Sequence, residues 1–281
     1  MSKPVNPPHG LLDSEFSNPL EYAIAQCDSE VLTMVRRAIE RKEVLLAFQP
    51  VVQSARPERP AFYEGLIRLL DETGRIIPAR DFIEQVETNE LGRRIDCLAL
   101  ELGLKALAED PNLRLAINMS ARSIGYPSWM RVLNTGLSCD STAAERLILE
   151  ITESSAMQMP DMVTKFMAEL QNRGLSFALD DFGAGYTSFR YLREFYFDIL
   201  KIDGQFIRGI SENPDNQVLT AALMSIAQHF DMFTVAEAVE SASDAAYLTE
   251  LGIDCMQGYY FGAPTVLPPW KLAEAARALR A

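Results

Sequence analysis

Histidine is nearly absent from this chain: His9 and His229 are the only two in 281 residues, too few for a metal centre built on several imidazoles. Cysteine is scarce as well. Cys27, Cys97, Cys139 and Cys255 lie far apart with no CxxC pair, which removes a disulfide framework and a zinc cluster. No stretch approaches the roughly 18 apolar residues that a membrane span needs, and the opening MSKPVNPPHG lacks the apolar run of a secretory signal. No membrane association and a cytoplasmic location are therefore expected. Basic residues are outnumbered, 26 against 39 acidic, and the formal charge of -13 repels duplex DNA. Fifteen glycines and fifteen prolines are too few for a low-complexity chain. A packed core is expected, and any metal must be held by oxygen.

What is present is a regular alternation. Residues 1–30, interrupted by Pro4, Pro7, Pro8, Gly10 and Pro19, read as a flexible acidic extension. From residue 31 to residue 281, short strand-like runs alternate with stretches of helical apolar spacing. The strand-like runs are 45–48, 62–69, 113–119, 147–151, 176–180, 199–202, 234–236 and 255–260. Helices are expected at 81–87, 96–108, 159–172, 217–229, 242–251 and 269–279. Eight strands and about 250 residues fit an α/β fold of the TIM-like (β/α)8 barrel type. The stretch 51–61 is too short and too proline-rich for a crossover helix, so the first strand is expected to run antiparallel to the second.

Successive strand residues face opposite sides. On one parity lie large apolar residues: Phe48, Leu115, Ile117, Leu147, Leu149, Phe177 and Leu179. On the other, runs end in polar groups at the barrel's C-terminal rim, where barrel enzymes carry their sites. In chain order these inward groups are Gln49, Glu64 with Arg68, Asn118, Glu150, Asp180, Lys201 with Asp203, Glu237 and Gln257. Carboxylates gathered this way repel one another unless a cation neutralises them. Hard oxygen ligands favour Mg²⁺ or Mn²⁺, and the adjacent Asp180 and Asp181 suit two ions and phosphodiester hydrolysis. Arg68 and Lys201 would help reverse the local field for an anionic substrate. Taken singly, these residues also have plain readings: Asn118 or Glu153 as caps, Asp180–Asp181 as an Asx turn, Lys201 as a partner for Asp203.

The motifs FQPVV (48–52), YEGLIRL (63–69), INMS (117–120), LEITES (149–154), ALDDFGAGYTSF (178–189), LKIDGQFI (200–207), VAEAVE (235–240) and MQGYYFGAP (256–264) closely resemble the EAL family of bacterial cyclic di-GMP phosphodiesterases. The resemblance covers about residues 31–275. It implies hydrolysis of one phosphodiester of cyclic di-GMP to the linear dinucleotide pGpG by a water activated between two metal ions. Glu64, Asn118, Glu150 and Asp180 are implied for the first metal, and Asp180, Asp181 and Glu237 for the second. Lys201 is implied beside the attacking water, making Lys201, Glu64, Asp180 and Asp181 the catalytic set. Gln49, Leu66, Arg68, Asp203 and Gln257 are implied on the substrate, with Gln257 also completing the wall near the metals, and Glu153 is implied as anchor of the loop after Asp181. A homodimer is implied too, and Ca²⁺ is expected to support binding but to inhibit turnover.

Four positions depart from the family pattern: Gly65 for Ala, Leu69 for Trp, Ala184 for Thr and Ala238 for Gly. Gly65 is expected to face away from the site and to add local backbone freedom. The alternative class is a weak or inactive cyclic di-GMP receptor that signals to a protein partner, through residues 1–30.

Overall fold

The computed structural model describes residues 19–184 and 192–272. Its strands are β1 (Val44–Gln53), β2 (Arg56–Leu70), β3 (Ile76–Pro78), β4 (Leu115–Asn118), β5 (Leu147–Thr152), β6 (Ser176–Phe182), β7 (Ile199–Ile202), β8 (Phe233–Ala236) and β9 (Cys255–Gln257). The sheet order β1-β9-β8-β7-β6-β5-β4-β2 closes through a β1–β2 pairing into an eight-stranded barrel, with β3 added beside β2. β1 runs antiparallel to both of its neighbours, and β2 and β4 to β9 pair parallel. The fold is the barrel that the alternation implies, with its first strand reversed.

The differences have local causes. The proline-rich stretch 51–61 is mostly strand: β1 turns through Ser54 and Ala55 straight into β2, and register shifts beside Val52 absorb Pro60. Proline is tolerated at such bulges and on free strand ends, where it withholds no ladder hydrogen bond. β3 is three residues long, too short to carry a period. A helix Pro19–Arg41 crosses residue 30, where the flexible extension was expected to end. Proline fits the first helical turn because its missing N–H has no partner there anyway. Residues 1–18 and most of the expected helix 269–279 lie outside the described residues.

Two apolar layers follow from the alternation. Outside the sheet, Leu115, Leu147, Leu149, Phe177 and Leu179 are fully buried against the helices that join the strands, of which Glu90–Glu109, Pro127–Cys139, Pro160–Gln171 and Pro214–His229 are the long ones. Inside the barrel, Val51, Phe62, Ala116, Ile148, Ala178, Ile199 and Val235 form a separate cluster. Each lies two residues from an inward polar group: Gln49, Glu64, Asn118, Glu150, Asp180 and Lys201 on the same strand, and Glu237 just past the end of β8. The barrel is thus plugged below by hydrocarbon and polar at its C-terminal rim. At the opposite end, Arg146 Nη1 donates to the carbonyls of Leu107, Asp110 and Leu113, and Nη2 pairs with Asp140 at 2.6 Å.

Gly65 does face outward, but for a steric reason rather than for backbone freedom. A Cβ there would lie 2.7 Å from Ile117 Cδ1 and 2.9 Å from Leu46 Cδ2. Gly103, on the facing helix, would meet the same Ile117 Cδ1 at 2.8 Å. Two glycines make room for one isoleucine. Gly65→Ala should therefore destabilise by about 1–3 kcal/mol through overpacking, and Ile117→Val, which removes Cδ1, should recover part of the loss. Denaturant melts of the two single variants and the double variant test this; additive effects would contradict it.

Asp96, in the helix Glu90–Glu109, is buried and holds the loop after β4. Its Oδ2 accepts from Ser120 N at 3.1 Å and from Ser123 Oγ at 2.6 Å. Burial pushes its carboxyl up to about 7 despite these bonds. The folded state then holds a proton that the unfolded chain releases near pH 4, so stability should fall as pH rises from about 4 to 7 and level off above. Asp96→Asn keeps an acceptor for both donors and should flatten that slope in melts across the range; an unchanged slope would show that Asp96 does not set it.

Candidate active site

The inward polar residues converge around one ammonium. Lys201 rises from β7 above Ile199 and is 1% exposed. Its Nζ lies 2.8 Å from Glu237 Oε1, 2.9 Å from Asp180 Oδ1, 3.1 Å from Glu150 Oε2 and 3.5 Å from Glu64 Oε2. These acids come from β8's end, β6, β5 and β2. Glu64 is held from two further sides: Asn118 Nδ2 donates to Oε1 at 2.8 Å and Gln257 Nε2 to Oε2 at 2.6 Å. Gln257 Nε2 also reaches Gln49 Oε1 at 3.1 Å, and Gln49 Nε2 donates to the Gly262 carbonyl.

Asp181 reaches the same rim by a different route. Strict alternation would send it outward, because its neighbour Asp180 points in. The β6–β7 register shifts between Leu179 and Phe182, and Asp181 takes φ +54°, a left-handed conformation that Asp tolerates better than most residues. Bulges of this kind re-aim side chains beside active sites. One oxygen each of Asp180, Asp181 and Glu237 then lies within 4.8 Å of the others. Beyond the bulge, Gly183 N donates to Glu153 Oε2 at 3.1 Å, so buried Glu153 is tied to the start of the following loop.

Above the rim a cleft of about 390 Å³ opens, walled by Leu66 and Arg68 of β2 on one side and by Asp203 and Glu237 on the other. Asp203 does not pair with Lys201. Its Oδ1 accepts from Gln205 N at 2.7 Å and caps the short helix Gly204–Ile207. Arg80, Arg208 and Tyr259 also line the cleft. Strand parity did not single them out because all three sit in turns or at an element's end. Ala238, after Glu237, has φ +52°, which costs a residue with a β-carbon about 1–2 kcal/mol. Its methyl fits because Gly204 beside it carries none: a Cβ there would lie 2.6 Å away.

The electrostatics follow from burial and crowding. Burial drives the Glu150 and Glu237 carboxyls well above their usual range, Lys201 opposes this, and the neighbouring acids Glu64 and Asp180 add to it. Burial, then Asp180, pushes Asp181 up to about 6. For Lys201, burial alone would favour loss of its proton, but Asp180, Glu150, Glu237 and Glu64 outweigh it and hold the ammonium firmly charged. Burial lowers the proton affinity of Arg68, with Glu64 opposing and Arg80 reinforcing.

Four carboxylates thus face one ammonium, and a fifth, Asp181, lies beside two of them. Glu150 Oε1 is buried with no hydrogen-bond partner among the described residues, a costly state for a carboxylate oxygen. All the free donors are hard oxygens, which fit Mg²⁺ or Mn²⁺ in type and number. The site can therefore hold divalent cations and bring an anionic group to them.

Residues 33–264 match the EAL domain family. The cyclic di-GMP phosphodiesterase PdeB of Shewanella oneidensis is 30% identical over 237 residues, covering 83% of this chain and 28% of its own length. The cyclic di-GMP phosphodiesterase PdeF of Escherichia coli is 32% identical over 241 residues, covering 84% of this chain and 32% of its own length. The chain spans less than a third of these relatives. Among solved structures, the FimX EAL domain from Pseudomonas aeruginosa bound to c-di-GMP superposes with a TM-score of 0.77 at 26% identity, covering 84% of this chain and 97% of that one. Because the match runs through all eight barrel strands rather than around a single motif, this chain belongs to the EAL domain family.

Proposed function

We propose that this chain hydrolyses one phosphodiester bond of cyclic di-GMP, giving linear pGpG, at the cleft above Lys201. The observation that carries the reading is the set of four carboxylates meeting one buried lysine at the rim of the barrel, with Asp181 beside two of them. Glu64, Asn118, Glu150 and Asp180 would hold one Mg²⁺ or Mn²⁺, and Asp180, Asp181 and Glu237 a second. When bound, such ions act as Lewis acids and lower the pKa of water to the neutral range. The reading also takes the protein to be a cytoplasmic homodimer.

The chain's own groups do the rest. Asn118 and Gln257 fix both oxygens of Glu64, so that ligand needs little reorganisation on binding. Lys201 sets a fixed positive charge beside the place where the phosphoryl oxygens gain negative charge, and being already oriented it costs nothing to reorganise. Arg68, on the cleft wall, offers forked donors to a phosphate oxygen. Glu153 steadies the start of the loop that follows the Asp180–Asp181 bulge. The hydrocarbon layer beneath keeps water from entering from below.

Separating nucleotides by chromatography after incubation with cyclic di-GMP in Mg²⁺, Mn²⁺, Ca²⁺ or EDTA tests the reading. Linear dinucleotide is expected in Mg²⁺ and Mn²⁺, little in Ca²⁺ and none in EDTA, with Glu64→Ala reducing turnover more than about 100-fold. Intact substrate in every metal together with saturable binding would support a receptor instead. Turnover by Glu64→Ala at the native rate would overturn the ligand assignment.

Lys201→Met removes the counter-ion and leaves buried acids facing one another. In EDTA it should lose about 3–5 kcal/mol of stability, the usual cost of breaking a buried ion pair from one side. Mn²⁺ should restore more stability to this variant than to the wild type. Denaturant melts with and without Mn²⁺ check this; equal stability of the two proteins in EDTA would refute the counter-ion role.

A further inference from the structure

We propose that Arg80 binds the second phosphodiester of the cyclic dinucleotide, the one that is not cleaved. The inference rests on the hydrolase reading above and extends it to how substrate is oriented.

The fold places Arg80 on the same wall as Arg68. β3 pairs antiparallel with β2 so that Pro78 lies opposite Arg68, and the chain then enters a single 3-10 turn, Ala79–Asp81. Both arginines line the cleft. Across the cleft Arg208 has only a solvent-open contact with Glu240, at 3.7 Å. On this side Arg68 has no carboxylate within ion-pair distance among the described residues, and its Nη1 donates to the neighbouring Ile67 carbonyl at 2.9 Å. Arg80 meets only its chain neighbour Asp81, at 3.6 Å, with both side chains open to solvent. An exposed contact of that kind contributes little. Two guanidiniums therefore share one wall with no firmly held acid between them, and Arg80 already disfavours the charged form of Arg68. An anion settled on this wall relieves that repulsion.

The substrate supplies one. A cyclic dinucleotide carries two phosphodiesters on a single ring, so when one sits over the carboxylate-rich floor with its cations, the other remains a charged group inside the same cleft. The floor acids would repel it. The arginine wall would accept it, and guanidinium geometry suits two phosphate oxygens at once. Arg68 is half buried, tied to Ile67 and close to Glu64, which suits the reacting side. Arg80 stands at the mouth with 77% of its side chain exposed and is free to close on the outer phosphate.

The test compares the wild type with Arg80→Ala and Arg80→Lys on two substrates in Mn²⁺: cyclic di-GMP and bis(4-nitrophenyl) phosphate, which has a single phosphodiester. Arg80→Ala should raise KM for cyclic di-GMP about five- to twentyfold with kcat changed less than twofold, and should affect the single diester far less. Arg80→Lys should recover most of the affinity, since a point charge still binds phosphate. An unchanged KM, an equal loss on both substrates, or no rescue by lysine, as expected for a contact with a guanine edge, would overturn the proposal. A wild type inert toward cyclic di-GMP would instead overturn the hydrolase reading.

Discussion

The ammonium of Lys201 meets carboxylates from β2, β5 and β6 and from the residue after β8, and the barrel's rim depends on that one cation. Each acid sits where strand alternation must put an inward side chain at the C-terminal end. Directly beneath them is hydrocarbon, which cannot solvate a charge. Left alone, such a ring would repel itself open or take up protons. The lysine offsets part of this from within, and because its partners lie on strands from different parts of the sheet, it also draws them together. The groups that give the site its chemistry are thus among those that hold the barrel's upper end in shape.

One cation for five acidic groups is too little: burial drives Glu150 and Glu237 toward their protonated forms, and one buried oxygen, Glu150 Oε1, has no hydrogen bond among the described residues. The strand pattern leaves the rim only partly neutralised: stable enough to form, yet still electrostatically suited to divalent ions. The β6–β7 bulge sharpens this by placing two consecutive aspartates on the same side of the sheet. The left-handed turn at Asp181 is the local cost of that placement.

Much of this was legible in the sequence because alternation along a strand is a rule with few exceptions. AFQ, LAIN, LILE and FALD each show large apolar residues on one parity and end in a polar residue on the other, and the structure buries them accordingly. The rule fails where the backbone departs from a regular strand. It says nothing of Arg80, Arg208 or Tyr259, which lie in turns or at the end of an element. It misplaces Asp181, whose bulge appears only in the register of the partner strand. It also cannot show that Lys201 answers four acids rather than Asp203, since Asp203 is engaged as a helix cap. At Gly65 the sequence suggests only backbone freedom, whereas the reason for glycine is the close approach of Ile117, a residue 52 positions away that no local pattern reveals.

The reversed first strand has a consequence for how the barrel holds itself shut. β1 and β2 are joined by two residues and can pair as soon as both are made, so that half of the closure is local. The other half is the seam between β1 and β9, which must wait for the far end of the chain and is only three residue pairs long: Val51 with Gln257, Val52 with Met256 and Gln53 with Cys255. The topmost pair of that seam contains the glutamine that grips Glu64. Any breathing of the seam withdraws that grip, so the closure of the barrel and the orientation of a rim carboxylate rise and fall together.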